Sequence, residues 1–166
     1  MKSTAKISDS LEDYLEAILV IVKKKPAARA KDIVKQLQVK ASSVTGALKL
    51  LSEKGFINYA PYDLITLTPE GERIARDVDQ RHKALHDFFT KVLCVEEKEA
   101  DDSACKLEHA ISPSILKRLN YFVDFLDQCP RSDIKWNREL NSFCCNGRIG
   151  KNCAECIKTC LKKLPE

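Results

Sequence analysis

"VKASSVTGALKLLSEKGFINY", residues 39–59, decides the fold of this chain. Ser42 or Ser43 is placed to cap a helix, and Gly55 to stop it. Just upstream, "RAKDIVKQLQ" (29–38) predicts a shorter helix with Ile33 and Leu37 turned inward, and two short helices joined by a tight turn make a helix-turn-helix. Further upstream, "SDSLEDYLEAILVIVKKK" (8–25) repeats apolar residues at Leu11, Leu15, Ile18 and Val22, a helical stripe, with Asp13 and Glu16 off it. Downstream, "FINYAPYDLITLT" (56–68) holds two β-rich runs around a "PYD" turn, the pattern of a hairpin. Helix-turn-helix plus hairpin predicts a winged helix over residues 1–72.

Charge points this segment at a polyanion. The formal net charge of +4 is unevenly spread: residues 1–75 carry 12 Lys/Arg against 9 Asp/Glu, residues 76–128 carry 8 against 11, and residues 129–166 carry 8 against 4. Residues 23–54 alone hold nine Lys/Arg and two acids, an electrostatic footprint for phosphates. The opening "SSVTG" offers small hydroxyls and a glycine, which permit close approach to base edges, with Lys40 and Lys49 on either side. The expected DNA contacts are Arg29, Lys31, Lys40, Ser42, Ser43, Thr45, Gly46 and Lys49. Winged helices also serve as protein docking modules, and it is the charge and small-residue pattern that favours DNA.

The longest apolar run, "AILVIV" at 17–22, is far short of the roughly 20 residues of a membrane span. Asp9, Glu12 and Asp13 occupy the place where a signal peptide would be apolar. A cytoplasmic protein is expected, so its eight cysteines are read first as ligands or buried thiols.

Thr68 as cap and Pro69 in the first turn begin a long helix over "TPEGERIARDVDQRHKALHDFFTKVLC" (68–94), which puts His82 and His86 at i and i+4 on one face. "EEKEADDSACKLEHAIS" (96–112) predicts another helix, with Cys105, Glu108 and His109 on one side, and "PSILKRLNYFVDFLD" a third beginning at Pro113. All three histidines of the chain lie in this acidic region, at ligand spacing and beside a thiol and a carboxylate, which points to metal. A Cys/His nucleophile is the weaker reading, because no Gly-rich phosphate loop, HExxH or serine elbow accompanies the pair. No enzyme and no small-molecule substrate are expected.

"SLEDYLEAI", "VKASSVTGALKLLSEKGFINY", "ITLTPEGERIA", "RH" and "ACKLEHAIS", in order over residues 8–128, resemble the diphtheria toxin repressor family of metal-activated iron and manganese repressors. The resemblance implies a mainly α chain. A winged helix at 1–72 is followed by a helical metal-binding and dimerisation domain at 73–128, and a metal-loaded homodimer binds a palindromic operator. It implies ligands position by position. Asp13 matches the first-helix ligand of manganese-type members, and Glu16 a second carboxylate of that branch. Cys105 stands where iron-type members have Cys and manganese-type members have Glu, and Glu108 and His109 match the shared pair that follows. For the ancillary site His82 matches directly, His86 replaces a Glu, and Asp101 occupies a position that is His in iron-type members. Asp13 with Glu16 suits a hard cation, while Cys105 adds a soft donor, which favours Fe(II) over Mn(II). Control of metal uptake genes is the implied role.

The resemblance stops before the tail. Residues 129–166 hold six of the eight cysteines: Cys129, Cys144, Cys145, Cys153, Cys156 and Cys160. "CAECIKTC" (153–160) gives C-x2-C-x3-C, to which Cys129, Cys144 or Cys145 could add a fourth ligand. An iron-sulfur cluster, a zinc site, and unliganded or disulfide-bonded thiols are all compatible with that spacing. A redox or iron-sulfur sensor switched through the tail is therefore the rival to metal-activated repression.

Overall fold

The computed structural model describes residues 7–59, 64–128, 134–137 and 142–145, with side chains through residue 125. It divides into two compact units, residues 1–80 and 81–166.

The first unit is built on three helices, α1 (Asp9–Val22), α2 (Ala30–Leu37) and α3 (Ala41–Glu53). Leu11, Leu15 and Ile18 are buried as the stripe predicts, while Val22 is half-buried. They meet Ile33 of α2 and Val44, Leu48 and Leu51 of α3 in one core. α3 starts one to two residues before the serines expected to cap it. Lys40 holds the N-cap position with no side-chain hydrogen bond, so Ser42 and Ser43 sit on the exposed first turn. The stop is as predicted. Gly55 takes φ +75°, a left-handed conformation that glycine adopts without steric cost.

Strands β1 (Ile57–Asn58) and β2 (Thr66–Leu67) form the expected antiparallel hairpin, registered Ile57 to Leu67 and Asn58 to Thr66. The "PYD" turn lies outside the described residues. A contact not foreseen ties the hairpin to the α1–α2 connection. Ala28 and Ile65, both fully buried, exchange backbone hydrogen bonds of 2.9 and 2.8 Å.

Helix α4 (Pro69–Asp87) begins on Thr68, whose hydroxyl accepts from the Gly71 N–H at 3.2 Å and donates to the Gly55 carbonyl at 2.8 Å. One side chain thus caps α4 and satisfies the turn that ends α3. The predicted single helix to Cys94 instead passes into a π-helical turn, Phe88–Val92.

In the second unit this turn packs against α5 (Glu97–Leu107), α6 (Pro113–Gln128) and strand β3 (Ile134–Asn137). Phe88 lies 6.0 Å from Phe89 and 6.4 Å from Phe122 between ring centres. α5 stops at Leu107, before Glu108 and His109, because Glu108 already occupies the C-cap. β3 pairs antiparallel with β4 (Ser142–Cys145), a hairpin within the segment read from its cysteines alone. No helix among the described residues is long and apolar enough to cross a membrane.

Candidate metal centre and nucleic-acid interface

On α1, Asp13 and Glu16 stand at i and i+3, both half-buried, off the apolar stripe that fixes the helix on its core. In the second unit the donors gather around Glu108. This residue has no solvent exposure, an unusual place for a carboxylate. The Arg81 guanidinium donates to its backbone carbonyl at 2.8 Å, which holds the C-cap in place. Its Oε2 lies 2.7 Å from His82 Nδ1, and the other ring nitrogen of His82 is 3.1 Å from Asp101 Oδ1. A neutral imidazole has one N–H and can donate to only one of these carboxylates; an imidazolium donates to both.

Glu108 Oε1 is different. It is buried and accepts no hydrogen bond, although His109 Nε2 is 3.4 Å away. A buried carboxylate oxygen without a donor costs about 1–3 kcal/mol. A divalent cation held by Glu108 and a neighbouring imidazole would remove that cost, so the carboxylate and imidazoles present here fit a metal.

His86 belongs to a neighbouring pair. Its ring is stacked on His82, 6.3 Å between centres and 16° between planes, and its Nε2 lies 2.9 Å from Glu97 Oε2. Glu97 is absent from the ligand set read from the sequence. It sits at the start of α5, four residues before Asp101, and that i,i+4 spacing could have suggested it. Cys105 is exposed near the end of α5, in contrast to the buried Glu108. α5 ends at Leu107, with Glu108 as its C-cap in helical φ and ψ and its N–H on the Ala104 carbonyl. Of the six tail cysteines, Cys129, Cys153, Cys156 and Cys160 lie outside the described residues, and Cys144 and Cys145 fall in β4.

The expected DNA contacts are accessible. Arg29, Lys31, Lys40, Ser42, Ser43, Thr45, Gly46 and Lys49 are all exposed. Thr45 spends its proton on the helix backbone, donating to the Ala41 carbonyl at 3.0 Å, and presents the hydroxyl as an acceptor. Three of the nine cations in residues 23–54 are engaged by acids: Lys23 with Asp79 at 3.0 Å, Lys25 with Asp32 at 2.8 Å, and Lys49 with Glu53 at 4.0 Å. The Lys25 hydrogen bond holds the Asp32 carboxyl below its usual range. Lys24, Arg29, Lys31, Lys35, Lys40 and Lys54 form no ion pair with an acid among the described residues.

Comparison with known proteins decides between these chemistries. Residues 6–64 match the iron dependent repressor N-terminal DNA binding domain, and residues 68–137 match the iron dependent repressor metal binding and dimerisation domain. The chain belongs to the iron-dependent repressor family. It is accordingly a metal-dependent, DNA-binding transcriptional repressor and not an enzyme, in agreement with the family its motifs resemble. An uncharacterised HTH-type transcriptional regulator of Methanocaldococcus jannaschii is 40% identical over 119 residues, 71% of this chain and 95% of the relative. The HTH-type transcriptional regulator MntR of Bacillus subtilis is 30% identical over 128 residues, 76% of this chain and 89% of the relative. Among solved structures, a manganese-dependent transcriptional repressor in complex with manganese superposes with a TM-score of 0.64 at 25% identity, over 81% of this chain and 61% of that one. The IdeR of T. acidophilum does so with 0.63 at 25% identity, over 79% and 59%. The repressor therefore spans about three fifths of the length of these solved neighbours. Both family models end before residue 138, so all the tail cysteines but Cys129 lie beyond them.

Proposed function

We propose that this repressor is a homodimer that binds a palindromic operator when loaded with Fe(II) or Mn(II), in the cytoplasm, and controls genes of metal uptake. The observation that carries the reading is the buried Glu108 oxygen without a hydrogen-bond donor, beside His109 and on the same carboxylate as His82. Asp13, Glu16, Glu108 and His109 are the proposed primary ligands, with His82, His86 and Asp101 for an ancillary site. Metal binding would select one arrangement of the repressor, and this restricts the spacing of two recognition helices in a dimer.

Carboxylate and imidazole donors suit Mn(II) and Fe(II) alike, and manganese is the metal of one solved neighbour. Cys105 is the residue proposed to tilt the choice toward Fe(II) by adding a thiolate. The test is anaerobic DNA binding by fluorescence anisotropy, on sequences selected from a random pool by the metal-loaded protein. Wild type, Glu108→Gln and Cys105→Ser are titrated with Fe(II) and Mn(II). Metal-dependent binding lost in Glu108→Gln is expected; metal-independent binding by wild type refutes the proposal. A Cys105→Ser protein that keeps its Fe(II) preference removes the thiol from the metal's selection.

Six cysteines in residues 129–166, five of them beyond the family models, keep one rival in play: a redox or iron-sulfur switch in the tail, with zinc as the non-redox form. Truncation after residue 128 distinguishes them, since metal-activated repression survives it and a tail switch does not.

A further inference from the structure

Helix α3 carries few of the side chains that usually read base edges. Over Ala41–Glu53 it has no Arg, Asn or Gln, the residues that place two hydrogen bonds on guanine or adenine in the major groove. Lys49 is its one long donor, and Glu53 draws that ammonium to 4.0 Å. The Thr45 hydroxyl has already given its proton to the Ala41 carbonyl, and Ser42 and Ser43 offer short hydroxyls that suit any base. What stands out is Leu50, 48% exposed although Leu48 and Leu51 beside it have no exposure. Ser43, Gly46 and Leu50 follow one another at i, i+3 and i+7, a single stripe along the exposed side. A helical side chain covers the turn that precedes it, so Leu50 lies toward Gly46, where no side chain competes for the space.

We infer that Leu50 is a specificity-determining residue of this repressor, packing its methyl groups on the 5-methyl of a thymine in each half of the operator. The inference rests on the operator binding proposed above, with α3 facing the major groove, and it names the base chemistry read there. Thymine is the one base with an apolar group on that edge, and apolar side chains recognise it by contact. Leucine covers the methyl without burying a polar atom. Against cytosine it would cover the N4 amino group and leave a donor without an acceptor, so the contact separates T·A from C·G by more than one methyl. Gly46 serves the same contact, because a turn without a side chain lets the helix approach until a leucine reaches the base. Phosphate contacts by exposed cations such as Arg29, Lys31 and Lys40 would fix the position of the helix but carry no sequence information. Sequence preference from α3 then falls on the short hydroxyls, on Lys49 and on Leu50.

Fluorescence anisotropy with the full chain tests this, on an operator selected from a random pool by the metal-loaded protein. Each thymine is replaced in turn by deoxyuridine, which deletes the 5-methyl and leaves every hydrogen-bonding group in place. Wild type is expected to lose about fourfold in affinity for each contacted methyl, at one thymine per half-site. Leu50→Ala should bind the operator more weakly and make no distinction between thymine and uracil there, while Leu50→Met, similar in volume and reach, retains the distinction. Leu50→Gln, equally long but polar, should also lose it, with helix content by circular dichroism unchanged. Wild type indifferent to every deoxyuridine overturns the inference, as does an undiminished penalty in Leu50→Ala and Leu50→Gln. A metal-loaded wild type that selects no sequence from the pool overturns operator reading itself, and this inference with it.

Discussion

Replacing Gly46 by alanine should raise the stability of the repressor while lowering its affinity for DNA. Gly46 lies inside α3, is exposed, and apart from its chain neighbours and the helix's own nearby backbone no atom lies within 4 Å of where a Cβ would stand. Nothing within the chain therefore requires glycine. Glycine in a helix interior costs about 0.8–1.0 kcal/mol relative to alanine, so the fold tolerates a penalty that one methyl group removes. For a chain of this size about 1 kcal/mol corresponds to a rise of about 2–4 °C in Tm, readable by scanning calorimetry. The same methyl points away from the core on α3, whose exposed side carries the expected DNA contacts Ser42, Ser43, Thr45 and Lys49. There it separates α3 from the base edges, and a tenfold loss of affinity, about 1.4 kcal/mol, is the expected scale. Calorimetry and anisotropy on one protein give the two signs together. A lowered Tm refutes the structural argument, and unchanged affinity refutes the close approach of α3 to DNA.

Gly71 behaves in the opposite way: a Cβ there overlaps the Phe56 carbonyl, a backbone atom that cannot turn aside. Gly71→Ala should cost about 3 kcal/mol, and a Tm within a degree or so of wild type would contradict this. Lys40→Ala removes an exposed cation at the N-cap of α3 and should lower the slope of log affinity against log salt by about 0.9 if Lys40 meets a phosphate, uniformly across operator variants. The Asp32 carboxyl, held low by Lys25, contributes stability that is fully present above its unfolded pKa of about 3.9 and is lost as pH falls through the lower folded value. Denaturant unfolding below pH 5 should therefore show a shallower acid limb in Asp32→Asn than in wild type.

The N-terminal unit was nearly legible in the sequence because local signals and tertiary packing agree there. The stripe of Leu11, Leu15 and Ile18, the Gly55 stop and the Thr68–Pro69 start all lie where the chain turns. Capping of α3 is not legible in the sequence, since serines invite an N-cap assignment and Lys40 has no side-chain acceptor to advertise one. The candidate site was legible in membership but not in arrangement. His82, Glu108 and His109 stand out by residue type, whereas the end of α5 at Leu107 carries no glycine or proline to mark it. Cys105 before it is exposed and Glu108 after it is buried. The count of nine cations also overstated the footprint, because pairs such as Lys23 with Asp79 join residues 56 positions apart. The β3–β4 hairpin is masked in the sequence by Cys144 and Cys145, whose ligand chemistry competes with the strand pattern of Ile134 and Trp136.

The Glu108 oxygen that lacks a donor bears on the lifetime of the repressor as well as on its switch. With Glu108 as the proposed ligand, an uncompensated cost of about 1–3 kcal/mol would fall on the metal-free protein alone and multiply its locally opened population by about 5–150. Proteases act on such openings in proportion to their population when reclosing is fast. A cell starved of metal would then hold fewer repressor molecules besides weaker ones, and derepression would persist until new chains are made.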